Sequence, residues 1–289
     1  MSLDLSLLHL VNGLCGNWVL DNIVAYEENN YFLKGGIFLT AYWWFWFAGE
    51  GEQRRDNRRV IIGALVGAIV ALTLSRALSA VLPFRIRPMY LPDIGYRPPS
   101  VVFPMNMENW SSFPSDAATF WFALSFGLFQ LYRPLGVVCM VYSTLWMCLA
   151  RLYLGIHYPS DLFAGAALGT SVVWATEKVF AVSNRSWIGL RVQRLLYWLN
   201  RLEQARPEVF YAAAFLVSFE LTVMFDDLRN GVRGVLHVLQ AAGFLKASET
   251  TALFVLGGCV VVIAATAALV VSVRRRSRRS HTRELSRSL

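Results

Sequence analysis

The run 150–162 places Arg151, His157 and Asp161 between two apolar segments. Gly155 reads as a helix stop and Pro159 as the start of the next helix. Arg151 then ends one helix, His157 occupies the turn, and Asp161 falls in the first turn of the following helix. A solitary histidine beside an apolar helix is ordinarily an interfacial side chain. This one has a carboxylate four residues on and an arginine six residues back. That spacing brings a nucleophile, an orienting acid and an anion clamp within reach of one point. Upstream, Arg85 and Arg87 precede Pro88, and Pro114, Ser115 and Asp116 open a helix, with Ser112 or Phe113 at its cap and Pro114 at its first position. The free N–H groups of such a helix start suit an anion. Pro-Ser-Asp recurs at 159–161, where it again opens a helix.

The elements that must position these residues are membrane helices. Of 289 residues, 56% are hydrophobic and only 16% charged, which no soluble domain of this length requires. The net charge of +8 comes from short basic runs beside apolar segments, the pattern of cytoplasmic loops and not of a nucleic-acid surface. Cys15, Cys139, Cys148 and Cys259 have no metal-ligand spacing and read as small buried hydrophobes. Asp4 and the lack of a basic start argue against a cleavable signal peptide.

Residues 3–26 mix apolar residues with Asn12, Asn17, Asp21 and Asn22, which suggests an amphipathic helix at the interface, a true first span being the alternative. Spans are expected at about 31–48, 60–82, 114–132, 135–154, 159–180, 209–225 and 252–273. The first closes on an aromatic belt. Arg76 in the second is either a site residue or a snorkelling one. Residues 83–114 form a long Pro-rich loop, of the kind that is more often functional than idle. A basic amphipathic segment follows the fifth span, and Arg274 to Arg279 follow the seventh. The positive-inside rule puts the Arg-rich loops in the cytoplasm, with the N-terminus outside and the C-terminus inside. The loop 83–114 and the Arg151–Asp161 junction then share the outer face.

Together these pieces resemble the type-2 phosphatidic acid phosphatase (PAP2) superfamily of membrane lipid phosphatases, over roughly residues 1–182. The family's third signature, Arg-x5-His-x3-Asp, is complete as Arg151, His157 and Asp161. Its first ends in Arg87-Pro88, but the expected Lys is Ala80; Arg85 can substitute, and Arg-x-Arg-Pro looks like the bacterial polyprenyl-diphosphate branch. Its second matches at Pro114, Ser115 and Asp116, but the next position, His in the family, is Ala117. The resemblance implies an all-α polytopic bundle of about seven spans plus an N-terminal interfacial helix, with a PAP2-like core at 1–182. Residues 183–289 would add an amphipathic linker, two more spans and a basic tail; plain anchoring, a homo-oligomer surface, a partner-docking hairpin or a wall for the lipid tail are open readings of them.

The implied mechanism has Arg87, Arg151 and Arg85 neutralising the phosphoryl oxygens, with Ser115 adding its N–H and hydroxyl. Asp161 orients His157, which attacks phosphorus and forms a phosphohistidine. No metal or cofactor is implied. Residue 117 should protonate the leaving oxygen and then activate water, and alanine can do neither, at a cost of about 10²–10⁴-fold. Asp116 is a poor stand-in, since its side chain points about 100° away around the helix. With the rest of the site intact, an inactivating, engineered His-to-Ala change explains Ala117 better than drift into a pseudoenzyme. The expected function is removal of a terminal phosphate from a lipid (pyro)phosphate, foremost undecaprenyl or another polyprenyl diphosphate, at the periplasmic face of a bacterial inner membrane. Phosphatidate, phosphatidylglycerol phosphate and lipid A are rival substrates. Phosphotransfer to a lipid acceptor and non-catalytic lipid-phosphate binding or carriage are the alternative functions.

Overall fold

A computed structural model describes residues 3–101, 107–181 and 187–224. The chain divides into two compact units, Met1–Leu190 and Arg191–Leu289. Among the described residues every regular element is helical. The expected span at 252–273 and the basic tail lie outside the described residues.

The first unit begins with α1 (Leu3–Asn12) and α2 (Trp18–Asn29), a π turn at Phe32–Gly36, and α3 (Ile37–Phe47). The amphipathic pattern suggests one helix over 3–26, but the chain breaks at Gly16, whose φ is +92°. Asn17 then caps α2 by accepting from the N–H groups of Val19 and Leu20. The polar residues of this region turn inward. Asn12 donates to the carbonyls of Tyr153 and Arg97 and accepts from the Arg97 N–H. Asp21, fully buried, accepts from the Ser100 N–H and the Tyr153 hydroxyl. Composition alone assigns such groups to water; here they fasten the loop after α4 to the bundle.

Next come α4 (Gly51–Val81), two single 3₁₀ turns at Pro88–Tyr90 and Pro92–Ile94, and α5 (Asp116–Leu131). α4 starts well before the expected second span, because the Glu, Gln and Arg residues ahead of Val60 are good helix formers. α6 (Arg133–Tyr142), a π segment at Ser143–Cys148 and α7 (Leu149–Tyr153) run on as one helical stretch. α8 (Pro159–Ala181) completes the core. Among the described residues, two stretches, Gly51–Val81 and Arg133–Tyr153, are long and apolar enough to cross a bilayer. α9 (Trp187–Ala205) and α10 (Pro207–Thr222) follow, Pro207 taking the first position of α10.

α4, α5 and α8 pack against one another and form the centre of the first unit. Small residues let α8 approach α5 closely, as membrane helices often require. A Cβ at Gly165 would collide with the Ser115 carbonyl oxygen, and one at Gly169 with that of Thr119. Thr119 cannot yield, because its hydroxyl also returns a bond of 2.8 Å to the Ser115 carbonyl. Gly169→Val is therefore expected to destabilise the protein by about 1–3 kcal/mol or more. A lowered thermal midpoint in detergent is the check. This contact fixes the start of α5 against the start of α8, where the sequence candidates gather.

Candidate active site

The turn that carries His157 is built by local rules. Gly155 adopts φ +63°, the Ile156 N–H bonds the Arg151 carbonyl at 3.0 Å, and the Gly155 N–H bonds the Leu152 carbonyl at 3.0 Å. This is a Schellman closure of α7, and it needs glycine at that point. Pro159 then starts α8, and Asp161 Oδ2 reaches back to the Tyr158 N–H at 2.8 Å, as a capping-box acid does.

His157 is 3% exposed. Its Nδ1 lies 2.8 Å from the Ser112 carbonyl oxygen and 3.7 Å from Asp161 Oδ2. A carbonyl can only accept, so Nδ1 carries the proton and Nε2 presents its lone pair. Nε2 faces Arg87 Nη1 at 3.4 Å. Burial, helped by the Arg87 charge, holds the imidazole below its usual range against the pull of Asp161. It is therefore neutral at pH 7, as a nucleophile must be. Of the two acceptors that face Nδ1, the Ser112 carbonyl makes the shorter contact and Asp161, expected to orient the ring, stands farther off.

Arg87 is equally buried. Its guanidinium bonds the carbonyls of Trp110, Ser111 and Ile156 at 3.1, 3.3 and 3.1 Å. It joins the loop between α4 and α5 to the His157 turn and lays its charge beside Nε2. Arg85 lies elsewhere. It bonds Asp161 Oδ1 at 2.5 Å, Asp4 Oδ2 at 2.9 Å and the Ser160 hydroxyl at 2.8 Å, and it stacks 4.0 Å from the Tyr158 ring. Instead of offering an open fork to phosphate, it neutralises the buried Asp161. Asp4 also accepts from the Ser160 N–H at 2.9 Å. Burial alone would raise this carboxyl, but the Ser160 and Arg85 bonds outweigh it and hold Asp4 below the usual carboxylate range.

The start of α5 lies two residues beyond the expected one. Phe113–Pro114 is a cis peptide, Ser115 is the N-cap, and the helix begins at Asp116. The Ser115 hydroxyl accepts from the Ala118 N–H at 3.3 Å, and its own N–H donates to the Asp161 carbonyl at 3.1 Å. Both groups expected to bind an anion are therefore engaged in joining the two helix starts. Asp116 accepts from the Ala117 N–H at 2.8 Å and pairs with Arg76 at 2.7 Å. Arg76 stands one turn before Ala80, packed 5.4 Å from the Trp110 ring. It supplies positive charge on the α4 edge of the site, where the sequence pattern leaves a lysine missing. Ala117 is buried in the first turn of α5.

Arg151 points to a neighbouring part of the same unit. Its Nη1 pairs with Glu28 at 3.2 Å, its guanidinium lies 5.4 Å from the Trp121 ring, and its Nε is buried without a hydrogen-bond partner. Sequence reasoning passed over Asp4, Glu27, Glu28 and the Ser112 carbonyl. The Glu27-Glu28 pair just ahead of an apolar run was the only signal available for any of them.

The site thus sets a neutral histidine, held in one tautomer, beside a buried guanidinium in an all-helical bundle, an arrangement that suits phosphoryl chemistry. The comparisons agree: residues 61–185 match the model of the PAP2 superfamily. The chain carries a PAP2 superfamily domain over residues 61–185, and the relatives named as phosphatases support a phosphatase activity. It is 27% identical over 188 residues to the bacitracin transport permease protein BcrC of Bacillus licheniformis, covering 61% of this chain and 82% of the relative. It is 34% identical over 119 residues to the decaprenylphosphoryl-5-phosphoribose phosphatase of Mycobacterium tuberculosis, covering 41% of this chain and 59% of the relative. Over 75 residues it is 37% identical to the lipid A 1-phosphatase of Rhizobium johnstonii, covering 25% of this chain and 29% of the relative. Those last two matches span less than two thirds of each relative. No solved structure matches the chain.

Proposed function

We propose that the protein removes the terminal phosphate of a lipid diphosphate, a polyprenyl diphosphate foremost, at the outer face of a bacterial inner membrane. The observation that carries this reading is the unprotonated Nε2 of His157 set 3.4 Å from Arg87 Nη1. A phosphoryl group drawn to Arg87 meets that lone pair directly. The N–P bond forms as the bond to the leaving oxygen breaks, and Asp161, already balanced by Arg85, stabilises the charge that develops on the ring. Water then attacks the phosphohistidine and frees inorganic phosphate. The lipid class is supported by the names of the relatives and by the apolar helices around the site. The outer-face assignment follows from the basic runs flanking the apolar segments. An architecture of about seven spans, with a PAP2 core over 1–182 and an added segment over 183–289, is part of the same reading.

Ala117 shapes the substrate preference. A methyl group there donates no proton, and a monoester must expel an alkoxide, whereas a diphosphate expels a phosphate. The protein is therefore expected to release phosphate from a polyprenyl diphosphate in preference to phosphatidate. Ala117→His should raise the phosphatidate rate by about 10²-fold or more. Phosphate release by both forms on both lipids is the measurement. Ala117 also suits a lipid-phosphate binder that does not turn over, and such a binder would release nothing from either lipid with His at 117.

A further inference from the structure

Arg85 balances Asp161, and a balanced carboxylate acts only weakly on an imidazole 3.7 Å away. A third group changes that balance. Of the N-terminal acids, Glu27 keeps both oxygens buried without a hydrogen-bond partner, whereas Asp4, in the first turn of α1, commits both of its oxygens. Asp4 Oδ1 accepts from the Ser160 N–H at 2.9 Å. Its Oδ2 accepts from the Ser160 hydroxyl at 2.6 Å and from Arg85 Nη2 at 2.9 Å. The other terminal nitrogen of the same guanidinium, Nη1, bonds Asp161 Oδ1 at 2.5 Å, and Asp161 Oδ2 faces His157 Nδ1. The path from α1 to the imidazole is therefore one guanidinium and one carboxylate long. Residue 4 lies ahead of the stretch 61–185 that matches the superfamily, so the family pattern leaves it unassigned.

Two carboxylates share one guanidinium, so Asp4, Arg85 and Asp161 together carry one net negative charge. Without Asp4 the group would be neutral. The difference falls on His157. When Nε2 bonds to phosphorus while Nδ1 keeps its proton, the ring becomes positive, and a negative cluster beside it lowers the energy of that state.

We propose that Asp4 is a positioning residue of the phosphoryl-transfer site: it holds Arg85 between two carboxylates and thereby keeps a net negative charge next to the His157 ring. The inference rests on the phosphatase reading above. Asp4 makes no bond to phosphorus and moves no proton; it acts through Arg85 and Asp161. Its bonds to Ser160 also supply an acceptor to an N–H in the first turn of α8 and fix the hydroxyl that Arg85 Nη1 meets at 2.8 Å.

Charged and titratable groups face this cluster from several elements. The Tyr158 ring lies 4.0 Å from the Arg85 guanidinium. Arg87 from the loop and Asp116 from α5 act on the imidazole alongside Asp161, and Asp116 is itself paired with Arg76 of α4. Burial alone would raise the Asp4 carboxyl, but the Ser160 and Arg85 bonds outweigh it, so Asp4 is ionised at neutral pH.

The test uses the full-length protein in detergent with a ³²P-labelled polyprenyl diphosphate, and follows kcat, KM and the acid limb of kcat/KM. Asp4→Asn keeps an acceptor for the Ser160 N–H and removes the charge. It should lower kcat by about tenfold with KM within about twofold of the parent. The limb should move to lower pH by about half a pH unit or more, because a ring with less negative charge beside it stays unprotonated further into acid. Arg85→Gln leaves both carboxylates uncompensated and should move the limb to higher pH. Asp4→Asn combined with Arg85→Gln regains one net negative charge and should bring the limb back toward the parent's. A merely structural contact would lower the rate or the thermal midpoint without moving the limb in two opposite directions. An unmoved limb in a folded Asp4→Asn protein overturns the proposal and leaves the phosphatase reading intact. Should Asp4→Asn alone not fold, Arg85→Gln and the double variant decide, since they differ only in the Asp4 charge; equal limbs overturn the proposal. If the parent protein releases no phosphate at any pH, the phosphatase reading falls first, and this proposal with it.

Discussion

His157→Asn is expected to release no phosphate above background from any lipid phosphate, a loss of at least about 10⁴-fold, and to take up no label. The asparagine amide nitrogen reaches nearly the place of Nδ1, so it can keep donating to the Ser112 carbonyl and spare the fold. What disappears is Nε2, the one atom that faces Arg87 with a free lone pair. Loss of the chemistry with retained vanadate binding and an unchanged thermal midpoint would identify the imidazole as the nucleophile. Turnover within about tenfold of the parent would exclude a phosphohistidine at this position. The parent's acid limb should lie below the ordinary histidine range. The folded imidazole is held low by burial, so it stays unprotonated until the pH falls through that lowered value.

Arg87→Lys should fail nearly as badly, by about 10²–10³-fold in kcat/KM. Three Arg87 nitrogens bond carbonyls on two separate segments, Trp110 and Ser111 on the loop ahead of α5 and Ile156 in the histidine turn. A lysine brings one compact charge and cannot span those directions. At least one buried carbonyl would be left unsatisfied, each costing about 1–3 kcal/mol. The variant should therefore lose stability as well as rate, and the pairing of the two losses is the signature. A conservative outcome, with rate and melting midpoint both retained, would mean that the charge beside Nε2 matters and the fork does not. Arg85→Lys should be milder, because Arg85 meets carboxylates through points that an ammonium can still satisfy in part.

Asp161 in the turn and Asp4 in α1 each tie more than one element of the site together. Asp161 is fully buried and split between the Tyr158 N–H and Arg85. Its first duty is to start α8 and hold the turn closed; its effect on the imidazole acts across 3.7 Å. Asp4 extends this chain of charge to the N-terminal helix, whose Leu8 packs with Leu152, Tyr158 and Leu162 beneath the site. The N-terminal residues are thus part of the site's floor.

Local rules made much of this legible from the sequence. A glycine that must adopt positive φ, a proline that starts a helix and an acid in its first turn are short-range signals. They placed His157 and Asp161 at one junction and brought Arg87 to the same face through the charge of distant loops. The all-helical class followed from composition, since only a membrane-sized apolar content calls for so many hydrophobic residues. Partner choice was not legible. Arg85 and Arg151 look alike in sequence, yet one is taken by Asp161 and Asp4 and the other by Glu28, because which carboxylate meets which guanidinium depends on how α1, α2, α7 and α8 pack. The same holds for the Ser112 carbonyl, which any residue type could supply, and for Glu27, whose burial comes entirely from its neighbours. Sequence by itself determined the chemistry available and the turns that carry it. Tertiary packing decided which charges are paired, which carboxyl is left alone and which imidazole nitrogen is free, because a buried charge takes its state from the groups that surround it.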